Sequence, residues 1–103
     1  MSDKEKKKQQ EADLKFIKMA DFFIDQANQQ CEEADHQLVN ASMLYATARF
    51  SAFITASMSE NKEIYEAGID QAIEFYMDEF KKMLQEHMQQ YKVVFDKKPQ
   101  YPH

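Results

Sequence analysis

Apolar residues recur at spacings of three and four through most of the chain, and two polar breaks divide the pattern into three helical segments. In the first, Leu14, Ile17, Ala20, Ile24, Ala27 and Cys31 fall on one face and predict a helix over 11–34. Phe16 and Phe23 widen that stripe, whereas Met19 and Phe22 point elsewhere. At roughly 100° per residue, Phe22 lies nearly opposite Ile24. The first break is Glu32, Glu33, Asp35, His36 and Gln37, carboxylates that are poorly placed at a helix C-terminus.

The second helix is expected over 40–58, with Asn40 as its N-cap. Its clear charge is Arg49 alone. Met43, Ala46, Phe50, Phe53, Ile54 and Ser57 make a bulky face. Ala41, Tyr45, Ala48, Ala52 and Ala56 make a small face on the opposite side. Small residues at that spacing let another helix axis approach closely, so this segment is predicted to be sandwiched. Ser59 and Asn61 are candidate caps for a third helix over 62–95. Its stripe runs through Tyr65, Ile69, Ala72, Ile73, Tyr76, Phe80, Met83, Leu84, His87, Tyr91 and Val94. Gly68 is a weak point costing about 1 kcal/mol against Ala, which leaves a start at Asp70 as the alternative. Residues 1–10 have no apolar side chain after Met1 and are expected to be a disordered basic tail. Residues 96–103, with Pro99 and Pro102, are expected to be flexible.

Together these segments predict an all-α fold, an antiparallel three-helix bundle with a long C-terminal helix. One Gly and two Pro leave too few turn residues for a sandwich or barrel. The lengths do not match, because the third helix outruns the second. Either the first helix covers the remainder or a second copy of the chain does. The apolar surface needed for both faces of the second helix and all of the third predicts a homodimer.

Charge narrows the partners. The net charge is −5, and residues 9–95 hold 15 Asp and Glu against 7 Lys and Arg. An acidic body argues against a nucleic-acid platform and against docking on anionic membrane lipid. A single Cys cannot form an internal disulfide, the charged N-terminus has no signal-peptide character, and no run is apolar enough to span a bilayer. A cytoplasmic protein is the expectation.

Three blocks of the chain resemble a known family. They are Ala20-Asp21-Phe22-Phe23-Ile24-Asp25-Gln26-Ala27-Asn28, the segment Val39 to Phe53 with its Met43-Leu44-Tyr45-Ala46-Thr47-Ala48-Arg49-Phe50 core, and Phe75 to Tyr91 with Phe80-Lys81-Lys82-Met83-Leu84. They look like the small bacterial family catalogued as domain of unknown function 3144. The resemblance covers about residues 20–92. It implies an uncharacterised bacterial, cytoplasmic, all-helical protein and carries no activity, cofactor or catalytic residue.

Candidate chemistry is sparse. Glu33 and His36 form a Glu-x-x-His, the pair that di-iron bundles use twice, but only one pair stands here, at a polar turn. His87 lies on the third stripe between Met83 and Tyr91, where burial would demand a hydrogen-bond partner. Both are weak metal-ligand candidates beside the simpler reading of a polar turn and a core or interface histidine. Cys31 is expected to be a buried inert thiol. Arg49, beside the alanine face, calls for a carboxylate such as Asp21 or Asp25, or else anchors an anionic ligand or partner. Asp70, Glu74, Asp78 and Glu79 form an acidic flank, expected to be solvated, with a basic partner as the alternative. No Gly-rich loop is present to cradle phosphate. The expectation is a non-enzymatic protein-interaction or structural module with no cofactor. Its interaction surface would draw on Phe22, Phe75, Ala48, Ala52 and Ala56. The alternative is a bundle binding a small ligand or metal between helices.

Overall fold

A cap that the lysine run conceals starts the first helix. The computed structural model describes residues 2–97, and α1 spans Asp3–Gln30. Ser2 is the N-cap: its Oγ accepts from the Glu5 N–H at 3.2 Å and donates to Glu5 Oε1 at 3.0 Å. This Ser-x-x-Glu pairing satisfies an orphan backbone donor, and Asp3 and Glu5 complement the positive end of the helix. The Lys, Glu and Gln that follow are good helix formers. Residues 3–10 are therefore helical where composition alone led to the expectation of a disordered tail over 1–10, and Met1 lies outside the described residues.

No glycine or basic side chain closes α1. The chain instead tightens after Gln30, with Glu32 N–H donating to Gln29 O at 3.2 Å and Glu33 N–H to Gln30 O at 3.0 Å. The helix thus stops short of Ala34. Asp35 then caps α2, which spans His36–Ser57, by accepting the Gln37 N–H on Oδ2 at 3.1 Å. The polar break is shorter than the pattern suggests, and Asn40 lies inside the helix rather than at its start. At the other end Ser57 Oγ donates to Ile54 O at 2.9 Å, and Ser59 Oγ donates to Thr55 O at 2.9 Å. These hydroxyls satisfy late carbonyls without a glycine.

Asn61 caps α3, Lys62–Gln90, by accepting the Ile64 N–H at 2.9 Å. The helix passes through Gly68 without a break. It ends before the predicted residue 95. Tyr91 and Lys92 form a turn, with Lys92 N–H donating to Gln89 O at 3.2 Å, and a short α4 follows at Val93–Lys97. Of the expected flexible tail 96–103, Asp96 and Lys97 end α4 and the remainder lies outside the described residues. The described residues are all helix and connecting turn.

The chain divides into two units, Met1–Ala52 and Phe53–His103, with the boundary inside α2. In the first, burial gathers around the α1–α2 connection. Val39 is 4% exposed, and Ala27, Cys31, Ala34 and Met43 are half-buried. In the second, Ile54, Thr55 and Ser59 are half-buried, as are Tyr65, Gly68, Ile69 and Ala72 early in α3. The Thr55 and Tyr76 hydroxyls lie 3.4 Å apart. Among the described residues Val39 is the one buried apolar side chain. α2 is therefore not sandwiched within either unit. Tyr45 is 70% exposed, and Phe50, Phe53, Ala48, Ala52 and Ala56 are exposed too. The physical reason is supply: the apolar faces outnumber the surfaces that one chain brings against them.

Candidate functional site

The residues singled out from the sequence do not converge on one place. Glu33 is exposed in the turn after α1, and His36 opens α2. His87 sits in the last turn of α3 and is exposed, so the partner that burial would demand is not required. Cys31, expected to be buried, is a half-buried free thiol. Among the described residues no group of three or more His, Cys, Asp or Glu side chains is placed to share a metal ion.

Arg49 departs from expectation. It is exposed on α2, and among the described residues no carboxylate, Asp21 and Asp25 included, lies within ion-pair distance. Ion pairs among the described residues include local ones on α3, Lys62–Glu66 at 3.8 Å and Lys82–Glu79 at 3.4 Å. Exposed pairs at this spacing contribute a few tenths of a kcal/mol, so charge does little to hold the fold together.

Two open hollows each lie on a single helix, one mainly apolar with charge at its edge and one mainly polar. On α1, Leu14, Met19, Phe22 and Phe23 line an open groove of about 630 Å³, edged by Glu11, Lys15 and Lys18. Phe22 is 60% exposed and meets Phe23 edge to face, with ring centroids 6.1 Å apart. On α3, Gln71, Glu74, Phe75 and Asp78 border a hollow of about 380 Å³. Phe75 is 59% exposed and meets Tyr76 edge to face at 5.4 Å. Leu14 belongs to the α1 groove as well as to the stripe assigned to it from spacing. Glu11, Lys15, Lys18 and Phe22 recur at four, three and four residues, a helical spacing that a search for apolar stripes alone passes over.

Residues 16–92 match the family model described as protein of unknown function (DUF3144). The chain belongs to that family. No curated protein and no solved structure matches it. The DUF3144 segment begins within the first helix and ends at the turn after the third. It contains Arg49, His87, Phe22 and Phe75, and it leaves Ser2, the N-terminal lysines and α4 outside. No helix is long and apolar enough to cross a membrane among the described residues.

Proposed function

We propose that this DUF3144 protein is a non-catalytic interaction or structural module that works as a homodimer. In it the helices form an antiparallel three-helix bundle whose long C-terminal helix is covered by the second copy. The observation that carries the proposal is the exposure of the α3 stripe, where Ile73, Phe80, Met83 and Leu84 stand open to solvent. Fully burying each such side chain is worth about 1.5–3 kcal/mol. With one apolar residue buried among the described residues, the single chain has little else to offset the entropy of folding. The same proposal takes the protein to be bacterial and cytoplasmic.

Light scattering on the size-separated protein over a range of concentrations tests it. The expected mass is twice the 12.2 kDa of the chain. The melting temperature should rise with protein concentration, because association stabilises the folded form by mass action. A monomer whose melting temperature ignores concentration would sink the proposal. Metal content, measured on protein purified without chelators, addresses the ligand-binding alternative. Stoichiometric iron, zinc or copper, lost on His36→Ala or His87→Ala, would put that alternative first.

A further inference from the structure

α1 and α3 each carry a face turned away from their apolar stripes, and the two are opposite in charge. On α1, Lys8, Lys15 and Lys18 fall within about 40° of Phe22 at roughly 100° per residue. Lys15 and Lys18 edge the groove of Leu14, Met19, Phe22 and Phe23, with Glu11 the one carboxylate there, and Lys8 lies about two turns before Lys15 on the same face. On α3, Asp70, Glu74 and Asp78 recur every fourth residue on one face, bordered by Phe75. None of these three lysines or three carboxylates has an ion-pair partner among the described residues. The basic face runs about 15 Å along its helix and the acidic face about 12 Å, at 1.5 Å per residue.

We propose that the lysine-edged apolar groove of α1 docks on the acidic, Phe75-bordered face of α3 in a second copy of the chain. The proposal rests on the reading of this protein as a self-associating module. It adds a contact centred away from the stripe interface, with Leu14 shared between the two, since Phe22 lies nearly opposite Ile24 and Glu74 nearly opposite Tyr76. A groove on one helix that fits a different helix is a heterologous contact. Every copy carries both halves, so assembly continues past the dimer until it closes as a ring or grows as a chain. The complementary charges orient the copies and speed their encounter, while Phe22, Leu14 and Met19 supply the apolar area.

Sedimentation velocity of the full chain in about 20 mM and about 0.5 M salt tests the contact, because exposed charges are screened within a few ångström at the higher value. Species larger than a dimer are expected at low salt, falling back to the dimer at high salt. The triple variant K8E/K15E/K18E should raise the apparent dissociation constant of the larger species roughly tenfold or more, given three exposed pairs. D70K/E74K/D78K should do the same. An equimolar mixture of the two variants should regain the larger species, because each reversed face then meets a reversed partner. Far-UV circular dichroism checks that both variants keep their helices. If one does not, the Lys→Gln and Asp→Asn, Glu→Gln versions replace it. A dimer at every salt concentration overturns this contact and leaves the module reading standing. A monomer at every salt concentration overturns both. Failure of the mixture to recover shows a contact within one chain and overturns the proposal. So does flotation with phosphatidylglycerol vesicles that depends on Lys8, Lys15 and Lys18 while sedimentation ignores salt.

Discussion

The first turns of α1 and most of α2 are both exposed helix, yet they stand for opposite reasons. Residues 3–10 carry no apolar side chain and are held by local chemistry: a reciprocal Ser2–Glu5 cap, acidic residues at the positive end, and good helix formers. α2 has no such support at its start beyond Asp35 and is apolar nearly all round, with exposed Leu44, Tyr45, Phe50 and Phe53. A helix of that composition gains its stability from burial. One stretch needs only itself and water; the other needs neighbours. Forming the helices and covering them are thus separate problems in this protein, and substitutions can address one at a time.

The largest effect is expected from Phe80→Glu, on the α3 stripe, where Phe80 is 45% exposed. A charge placed in the covering interface should weaken association by about 100-fold or more, the scale of a hot-spot residue. Light scattering would read this as a monomer at concentrations where the parent chain is dimeric. An unchanged mass would place the interface elsewhere. Next comes Val39→Ala, which truncates the buried residue at the α1–α2 connection. It should cost about 2 kcal/mol, seen as a lower midpoint in urea unfolding. A loss well under that would show that the connection contributes little to cooperative folding.

Gly68→Ala should act in the other direction. A Cβ built there meets no atom within 4 Å. Replacing glycine inside a helix then gains about 1 kcal/mol, measurable as a higher melting temperature. A loss instead would mean that another chain approaches Gly68 closely in the assembly. The smallest effect belongs to Ser2→Ala, which removes the cap of a segment with no apolar contacts to lose. About 0.5–1 kcal/mol of local helix stability should go. Far-UV circular dichroism should fall slightly while the global unfolding midpoint stays where it was. A shift in the global midpoint would mean that residues 3–10 are tied to the rest of the fold.

Much of the secondary structure was legible because it rests on spacing. The three apolar stripes located the long helices, and Asn61 marked the start of α3. The errors came where one polar residue does two jobs. Glu5 and the lysines after it read as a solvated tail by composition, but Ser2 three residues earlier turns Glu5 into a cap. Asp35 read as part of a break and is instead the residue that starts α2. The inferences about Arg49 and the faces of α2 stay open for a different reason. Periodicity tells which side chains share a face, not what covers that face, so a carboxylate for Arg49 and a cover for Ala48, Ala52 and Ala56 could be expected but not located. The same limit applies to the α1 groove, whose basic edge and apolar floor gain a role only in the contact proposed with a second copy.

The Ser2–Glu5 cap also makes the N-terminus a built-in gauge of fraying. Trypsin cuts after lysine only when several residues on either side leave the helix, and Lys6, Lys7 and Lys8 sit in the second turn of α1. No buried contact holds that turn, so its opening free energy lies near the bottom of the range found within proteins. When opening is fast relative to cleavage, the cutting rate follows the population of the open form. Early nicking at these three lysines, well before the chain is cut at Lys62 or Lys82, would therefore record how often one hydroxyl and one carboxylate let go.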